Sequence, residues 1–220
     1  MPSHREAPRH SPLAQGFYER PVLDVAHDLI GCVVRSGDTS GLIVETEAYH
    51  ESEPACHAFN GPTPRSEVLF AAPGTAYVYR SYGIHDLLNA VCEREGVGAA
   101  VLIRAIEPLE GITLMSERRG TDHAAAIGSG PGKLTQALGI GIAANRTNLL
   151  SGPVTIEPAP SGAAQLDVVK GERIGITLAT NLPWRFCARD SPCVSRPVPP
   201  GHANARQQRA ALSGPNRVER

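Results

Sequence analysis

The sequence predicts a single mixed α/β domain of the α+β kind. Three observations carry that expectation. Segments with the period-two alternation of strands are joined in pairs by short polar turns, which makes them antiparallel neighbours. Segments with helical spacing lie between them, with proline in the first turn or glycine behind the last. The 220 residues are 41% hydrophobic, enough for one large core.

In chain order, Met1 to Ser11 is polar and proline-containing, and reads as a disordered lead-in (residues 1–12). Pro21 to Ile30 has an apolar face of Val22, Val25, Ala26, Leu29 and Ile30, and Gly31 ends it; this is a helix. Cys32 to Arg35 and Leu42 to Tyr49 form a hairpin around the polar turn at Gly37 to Ser40. Residues 50–73 make a loop of a length that usually carries function. Tyr77 to Arg80 and Leu87 to Val91 are a second strand pair. Its turn presents Tyr82 to the outside, beside Gly83. Ala99 to Ile106 is a strand, Pro108 to Arg118 a helix, His123 to Ser129 a loop and Pro131 to Leu138 a helix closed by Gly139. Val154 to Glu157, Arg173 to Leu178 and Trp184 to Cys187 are further strands. From Val198 onward proline, arginine and small residues predict a disordered basic tail (residues 197–220).

Composition excludes several classes. The formal net charge is -1, so bulk basicity does not announce a polyanion partner, although acids dominate residues 1–60 and arginines residues 181–220. Five cysteines without a CxxC pair disfavour a disulfide framework, a zinc ribbon or an iron–sulfur cluster. Free, mostly buried thiols in a reducing compartment fit better. No apolar run spans a bilayer and the N-terminus lacks a secretory core, so the expected location is cytoplasmic, with no membrane partner.

The chemistry concentrates between Gly41 and Arg104. Ile43, Glu45, Glu47 and Tyr49 alternate onto one face of a strand, and Tyr77 and Tyr79 share a face of another. Two carboxylates on a dry face are costly, whereas on a pocket wall they are useful. Two readings of the pair stand: shared acid and base duties, or solvation on an exposed strand. Arg104, inside VLIRAI, either reaches solvent from a strand end or sits as a cation beside Glu47 and keeps it ionised. The tyrosines are either core packing or a ligand box. Phenol faces beside carboxylates suit a flat cationic guest. His57 is either a pocket wall or a solvated loop residue.

Two motifs fail their tests. GSGPGK at Gly128 to Lys133 lacks the glycine and the hydroxyl of a phosphate loop, having Ile127 and Leu134 instead; a single phosphate at this helix start is still compatible. His50-Glu51 is followed by Pro54 where a zinc-binding HExxH needs histidine, so no metal is expected.

The motifs VETEAY, His57, TPR at 63–65, PGTAYVYRSYG, Asn89, LIRAIEPLEG, SGPGKLTQALGI, RIGI, PWRF and SPCVSR occur here in that order. Together they resemble the alkyladenine (3-methyladenine) DNA glycosylases, over about residues 13–196. The missing basic N-terminal extension resembles the bacterial rather than the nuclear type. The resemblance implies a glycosylase domain over residues 13–196 with a curved, mainly antiparallel sheet, flanking helices and a protruding β-hairpin. It implies a monofunctional, cofactor-free, monomeric enzyme that extrudes damaged purines from duplex DNA. Water attacks C1′, releasing 3-methyladenine, 7-methylguanine and also deaminated or etheno purines. By motif match Glu47 is the general base, and Arg104 and the Ile174 backbone hold the water. Tyr49, His57 and Tyr79 enclose the extruded base. Asn89 meets the purine edge, Tyr82 intercalates, and Arg65 and Lys133 contact phosphates. Two other readings differ in kind. A non-catalytic binder of damaged DNA would lack the acid at position 47. An unrelated hydrolase using Glu45 and Glu47 on a small molecule would not bind lesion duplexes.

Overall fold

The computed structural model describes residues 11–160 and 166–197. Both stretches expected to be disordered lie almost wholly outside them. An eight-stranded, entirely antiparallel sheet runs in the order β3 (Ala76–Ser81), β4 (His85–Val91), β5 (Ala99–Glu110), β2 (Thr39–His50), β1 (Val33–Ser36), β6 (Val154–Glu157). The last two strands, β7 (Val168–Gly171) and β8 (Arg185–Ala188), pair with each other, and β8 also pairs with β2. The twelve-residue β2 is therefore shared. Its start pairs with β1, its middle with β8, and β5 runs along its other edge. The sheet curls around that strand, giving the mixed α/β single domain with flanking helices α1 (Gln15–Tyr18), α2 (Val22–Asp28), α3 (Ile112–Arg119), α4 (Ala124–Ile127) and α5 (Pro131–Leu138).

Period-two alternation sorts the side chains onto two faces. On β5, Ala99, Val101, Ile103 and Ala105 enter the main core, while Ala100, Leu102 and Arg104 line a cavity. On β3, Ala76 and Val78 go to the core and Tyr77 and Tyr79 to the cavity; on β4, Leu88 and Ala90 go to the core and Leu87 and Asn89 to the cavity. Helices α2 and α5 close the core face with Val22, Val25, Ala26, Leu134, Ala137 and Leu138. The cavity face has its own small cluster, in which Cys56, Ala58, Val68 and Leu69 from the 50–73 loop pack on Tyr77 and Ala100.

β2 follows the alternation from Glu45 onward. Ile43 does not: it is buried in the main core together with Val44. The register with β5 shifts between Ile43 and Glu45 and again between Glu45 and Thr46, which leaves Val44 and Arg104 outside the one-to-one pairing. Such irregularities re-aim side chains next to sites.

Several expected elements differ. β5 runs on to Glu110, because Pro108 and Glu110 still pair with Gly41 and Ser40; the helix begins only at Ile112, after Gly111 at φ +69°. The expected loop at His123 to Ser129 contains α4. Arg173 to Leu178 is not a strand. Its alternating apolar residues border the cavity, Gly175 at φ +77° breaks the extended path, and the Ile174 N–H bonds a side chain rather than a neighbouring strand. The missing strand is β7, just before it, and α1 was not foreseen.

The hairpin tip is strained. Tyr82 at φ +50° and Gly83 at φ +74° give the two positive angles of a type I′ turn, and Ile84 N–H closes it on Ser81 C=O (3.2 Å). Tyrosine is an uncommon occupant of that conformation.

Candidate active site

Glu45, Glu47 and Arg104 are buried together where β2 meets β5 and β8. Glu47, with no solvent exposure, accepts three hydrogen bonds. The Tyr49 hydroxyl (2.8 Å) and Arg104 Nη1 (3.2 Å) donate to Oε2, and the Ile174 N–H (2.7 Å) donates to Oε1. Burial raises the Glu47 carboxyl above the usual glutamate range, and the Arg104 charge, the Ile174 N–H and the Tyr49 hydroxyl pull it partly back.

Glu45 is occupied differently. Its Oε1 accepts from Arg104 Nε (3.1 Å), Arg185 Nε (2.7 Å) and the Ser195 hydroxyl (2.8 Å), and its Oε2 from the Ser195 N–H (2.6 Å). Arg185 continues to the Arg196 carbonyl. The two carboxylates therefore share Arg104 but otherwise have different partners. Glu45 ties the segment after β8 to Arg104, and Glu47 is the one adjoining the cavity.

The cavity has a volume of about 860 Å³. Tyr49, Tyr77, Tyr79 and His57 make its aromatic wall, and Asn89, Leu102 and Arg104 its base. Glu47 lies directly behind Tyr49, Arg104 and Ile174. Tyr77 and Tyr79 stack at 5.2 Å, and His57 meets Tyr79 edge-on at 4.8 Å. His57 Nδ1 lies 3.0 Å from the Tyr77 hydroxyl. Burial, with help from Arg65, holds the imidazole below its ordinary pKa, so it is neutral at pH 7. Burial pushes the Tyr79 phenol up to about 12, so it stays protonated. Asn89 is fixed by donating to the Tyr77 carbonyl (3.0 Å).

At the mouth, Arg65 lies over the Tyr79 ring (5.3 Å) and Lys133 stands at the start of α5, its Nζ 3.4 Å from the Ser129 hydroxyl. Tyr82 also borders the cavity and is 88% exposed, with Ile84 at 73%. Nine of the ten side chains and backbone groups expected from the sequence thus line one cavity, and the tenth, Glu47, is bonded to three of its lining residues. Arg173, Glu53, Arg185 and Ser195 were missed as members of this cluster. They lie in RIGI, the long loop, PWRF and SPCVSR, and nothing local marks arginines and a serine whose partners are over a hundred residues away.

The five cysteines are buried and free. Among the described residues, no three His, Cys, Asp or Glu side chains are grouped as a metal site requires, and no helix is long and apolar enough to cross a membrane.

Comparison with known proteins identifies the family. Residues 16–192 match the model of the methylpurine-DNA glycosylase family. A protein of Bradyrhizobium diazoefficiens is 53% identical over 188 residues, covering 86% of this chain and 92% of its own. One of Rhodopseudomonas palustris is 49% identical over 199 residues (90% and 95%), and one of Methanoculleus marisnigri 47% over 190 (84% and 98%). All three are provisionally named 3-methyladenine DNA glycosylase. A family match over most of the chain, with relatives near half identity along nearly their whole length, establishes that this chain belongs to the methylpurine-DNA glycosylase family and is a hydrolase of the DNA glycosylase class.

Proposed function

We propose that the protein, acting as a monomer, releases 3-methyladenine and 7-methylguanine, and also deaminated or etheno purines, from duplex DNA by base flipping and attack of water at C1′. The observation that supports this most is Glu47: a buried carboxylate with three donors, immediately behind an aromatic cavity. In this reading Glu47 removes a proton from water and opposes the charge developing on the sugar. Arg104 holds the carboxylate ionised and, with it, the water. The Ile174 N–H already bonds Glu47, so it acts through the carboxylate.

Tyr49, His57 and Tyr79 enclose the extruded base. Alkylation at N3 or N7 gives the purine a positive charge, which phenol faces attract and which weakens its bond to the sugar. A neutral His57 adds no opposing charge. Asn89, held rigidly by the Tyr77 carbonyl, meets the purine edge and penalises the exocyclic amino group that guanine and 7-methylguanine share, a cost that only the positive charge of the methylated base offsets. Tyr82 fills the gap the base leaves and offsets part of the unstacking cost of a few kcal/mol. Arg65 and Lys133 meet phosphates on either side.

The test is Glu47→Gln. Release of 3-methyladenine from a lesion duplex should fall by about 10²–10⁴-fold in single turnover while lesion binding stays within a few-fold. Unchanged release would remove Glu47 from the mechanism. Failure of the wild-type protein to bind or cleave lesion duplexes would favour a small-molecule hydrolase instead.

A further inference from the structure

We propose that Arg173 is a positioning residue of the site, fixing the Tyr49 ring from one side and holding the Ile174 N–H on Glu47. The inference rests on the reading of Glu47 as the base.

The Arg173 side chain is fully buried. Its Nη1 donates to the Ala48 carbonyl (3.0 Å) and to Glu53 Oε1 (2.7 Å), and its Nη2 to Glu53 Oε2 (2.9 Å) and the Ala179 carbonyl (3.4 Å). The guanidinium carbon lies 4.6 Å from the Tyr49 ring centre and 5.3 Å from that of Trp184. One planar cation therefore joins the end of β2, the loop after it, the cavity rim and the approach to β8.

A buried cation is costly unless paired, and the forked pair with Glu53 meets that requirement alone. The remaining contacts do something else. Tyr49 lines the cavity while Arg173 covers one face of its ring, which restricts the ring's tilt and leaves the guest the rest of its surface. Ile174 follows Arg173 in the chain, in a segment without a strand ladder. The Arg173 side chain is what anchors that segment at its start, so the direction of the Ile174 N–H depends on it. Nε makes no hydrogen bond, so the guanidinium plane is set by its two outer nitrogens and the two rings. Lysine keeps the charge but cannot donate in these four directions from one plane.

The experiment uses full-length Arg173→Lys, Arg173→Met and Glu53→Gln. Single-turnover release of 7-methylguanine from a lesion duplex is measured across pH, alongside duplex binding and thermal melting. Arg173→Lys should lose at least tenfold in rate with binding within threefold of wild type. Its acidic limb should move to higher pH, because Glu47 loses a hydrogen bond that favours its ionised form. Of the other groups facing Glu47, Glu45 on β2, Arg104 on β5, Tyr79 on β3 and Cys187 on β8 keep their places, and Arg185 on β8 stays bonded to Glu45; Tyr49, which Arg173 covers, donates to Glu47, so its loosening moves the limb in the same direction. Glu53→Gln should shift the profile in the same direction by less. If Arg173→Met does not fold, the other two variants decide. The inference is overturned if both keep the wild-type rate and profile, or if rate and binding fall only in proportion to lost folded protein. An active Glu47→Gln would overturn the reading of the site itself. An inert Glu47→Gln beside an unaltered Arg173→Lys would overturn this inference alone.

Discussion

A carboxyl that burial pushes upward and one arginine pulls back has a predictable response to losing that arginine. In the proposed mechanism Glu47 must be ionised to accept a proton from water, so activity should fall as pH drops through its raised pKa. Arg104→Gln removes the largest opposing influence, so the acidic limb of the single-turnover profile should move to still higher pH, with a lower plateau. Tyr49→Phe removes only a hydrogen bond and should move it less. Glu45 keeps Arg185 and Ser195 in the Arg104 variant, so its charge does not become an unpaired buried one. A limb that stays in place, or moves down, would mean that Glu47 does not set it. Part of this was legible in the sequence. Two carboxylates two residues apart on a strand declare a shared face, but nothing local says which one adjoins the cavity. That distinction is made by Arg185 and Ser195, 140 and 150 residues away, which occupy Glu45.

At the level of elements, strands were legible where one face is core and the other is not. Ala76, Val78, Leu88, Ala90, Val101 and Ile103 alternate with cavity residues, and this pattern survives in the fold residue by residue. It misleads at Ile174, Ile176 and Leu178, where the same alternation belongs to a cavity rim that pairs with no strand. The hairpin of β3 and β4 shows a local rule broken at a site. Position 82 has φ +50°, where Asn followed by Gly is the preferred type I′ pair, yet it carries tyrosine. Tyr82→Asn should therefore hold or raise the melting temperature, by about 2–4 °C if about 1 kcal/mol of strain is relieved. Lesion-duplex binding should weaken by about tenfold, and release from a duplex whose lesion faces an abasic site, where flipping is already easy, should fall less. Differential scanning fluorimetry and a binding titration check the two halves. A variant that loses binding and chemistry equally would count against a wedge.

For the whole molecule the question is how a chain of net charge -1 attracts a polyanion. In the proposed reading the answer lies in placement rather than total. Arg65, Arg119 and Lys133 border the cavity mouth, and no carboxylate forms an ion pair with any of them among the described residues. Arg119 is fastened to the Ile127 carbonyl (3.0 Å) and the Gln136 side chain (2.5 Å), which keeps its charge at the rim. Each phosphate these cations neutralise releases counterions, and log K falls with log salt by about 0.9 per contact on duplex DNA. Three contacts give a slope of about -3, much shallower than for a protein that grips a long duplex electrostatically. Alanine at any one of the three should reduce the slope by about 0.9 and weaken lesion and undamaged duplexes by the same factor, because phosphates carry no lesion information. Arg189→Ala is the control: its guanidinium pairs with Asp167 (2.5 Å) away from the cavity, so the slope should not change. Binding isotherms between 50 and about 200 mM salt decide it. A slope unaffected by the three substitutions would place the phosphate contacts elsewhere on the surface, and a loss confined to lesion duplexes would make these cations part of base recognition.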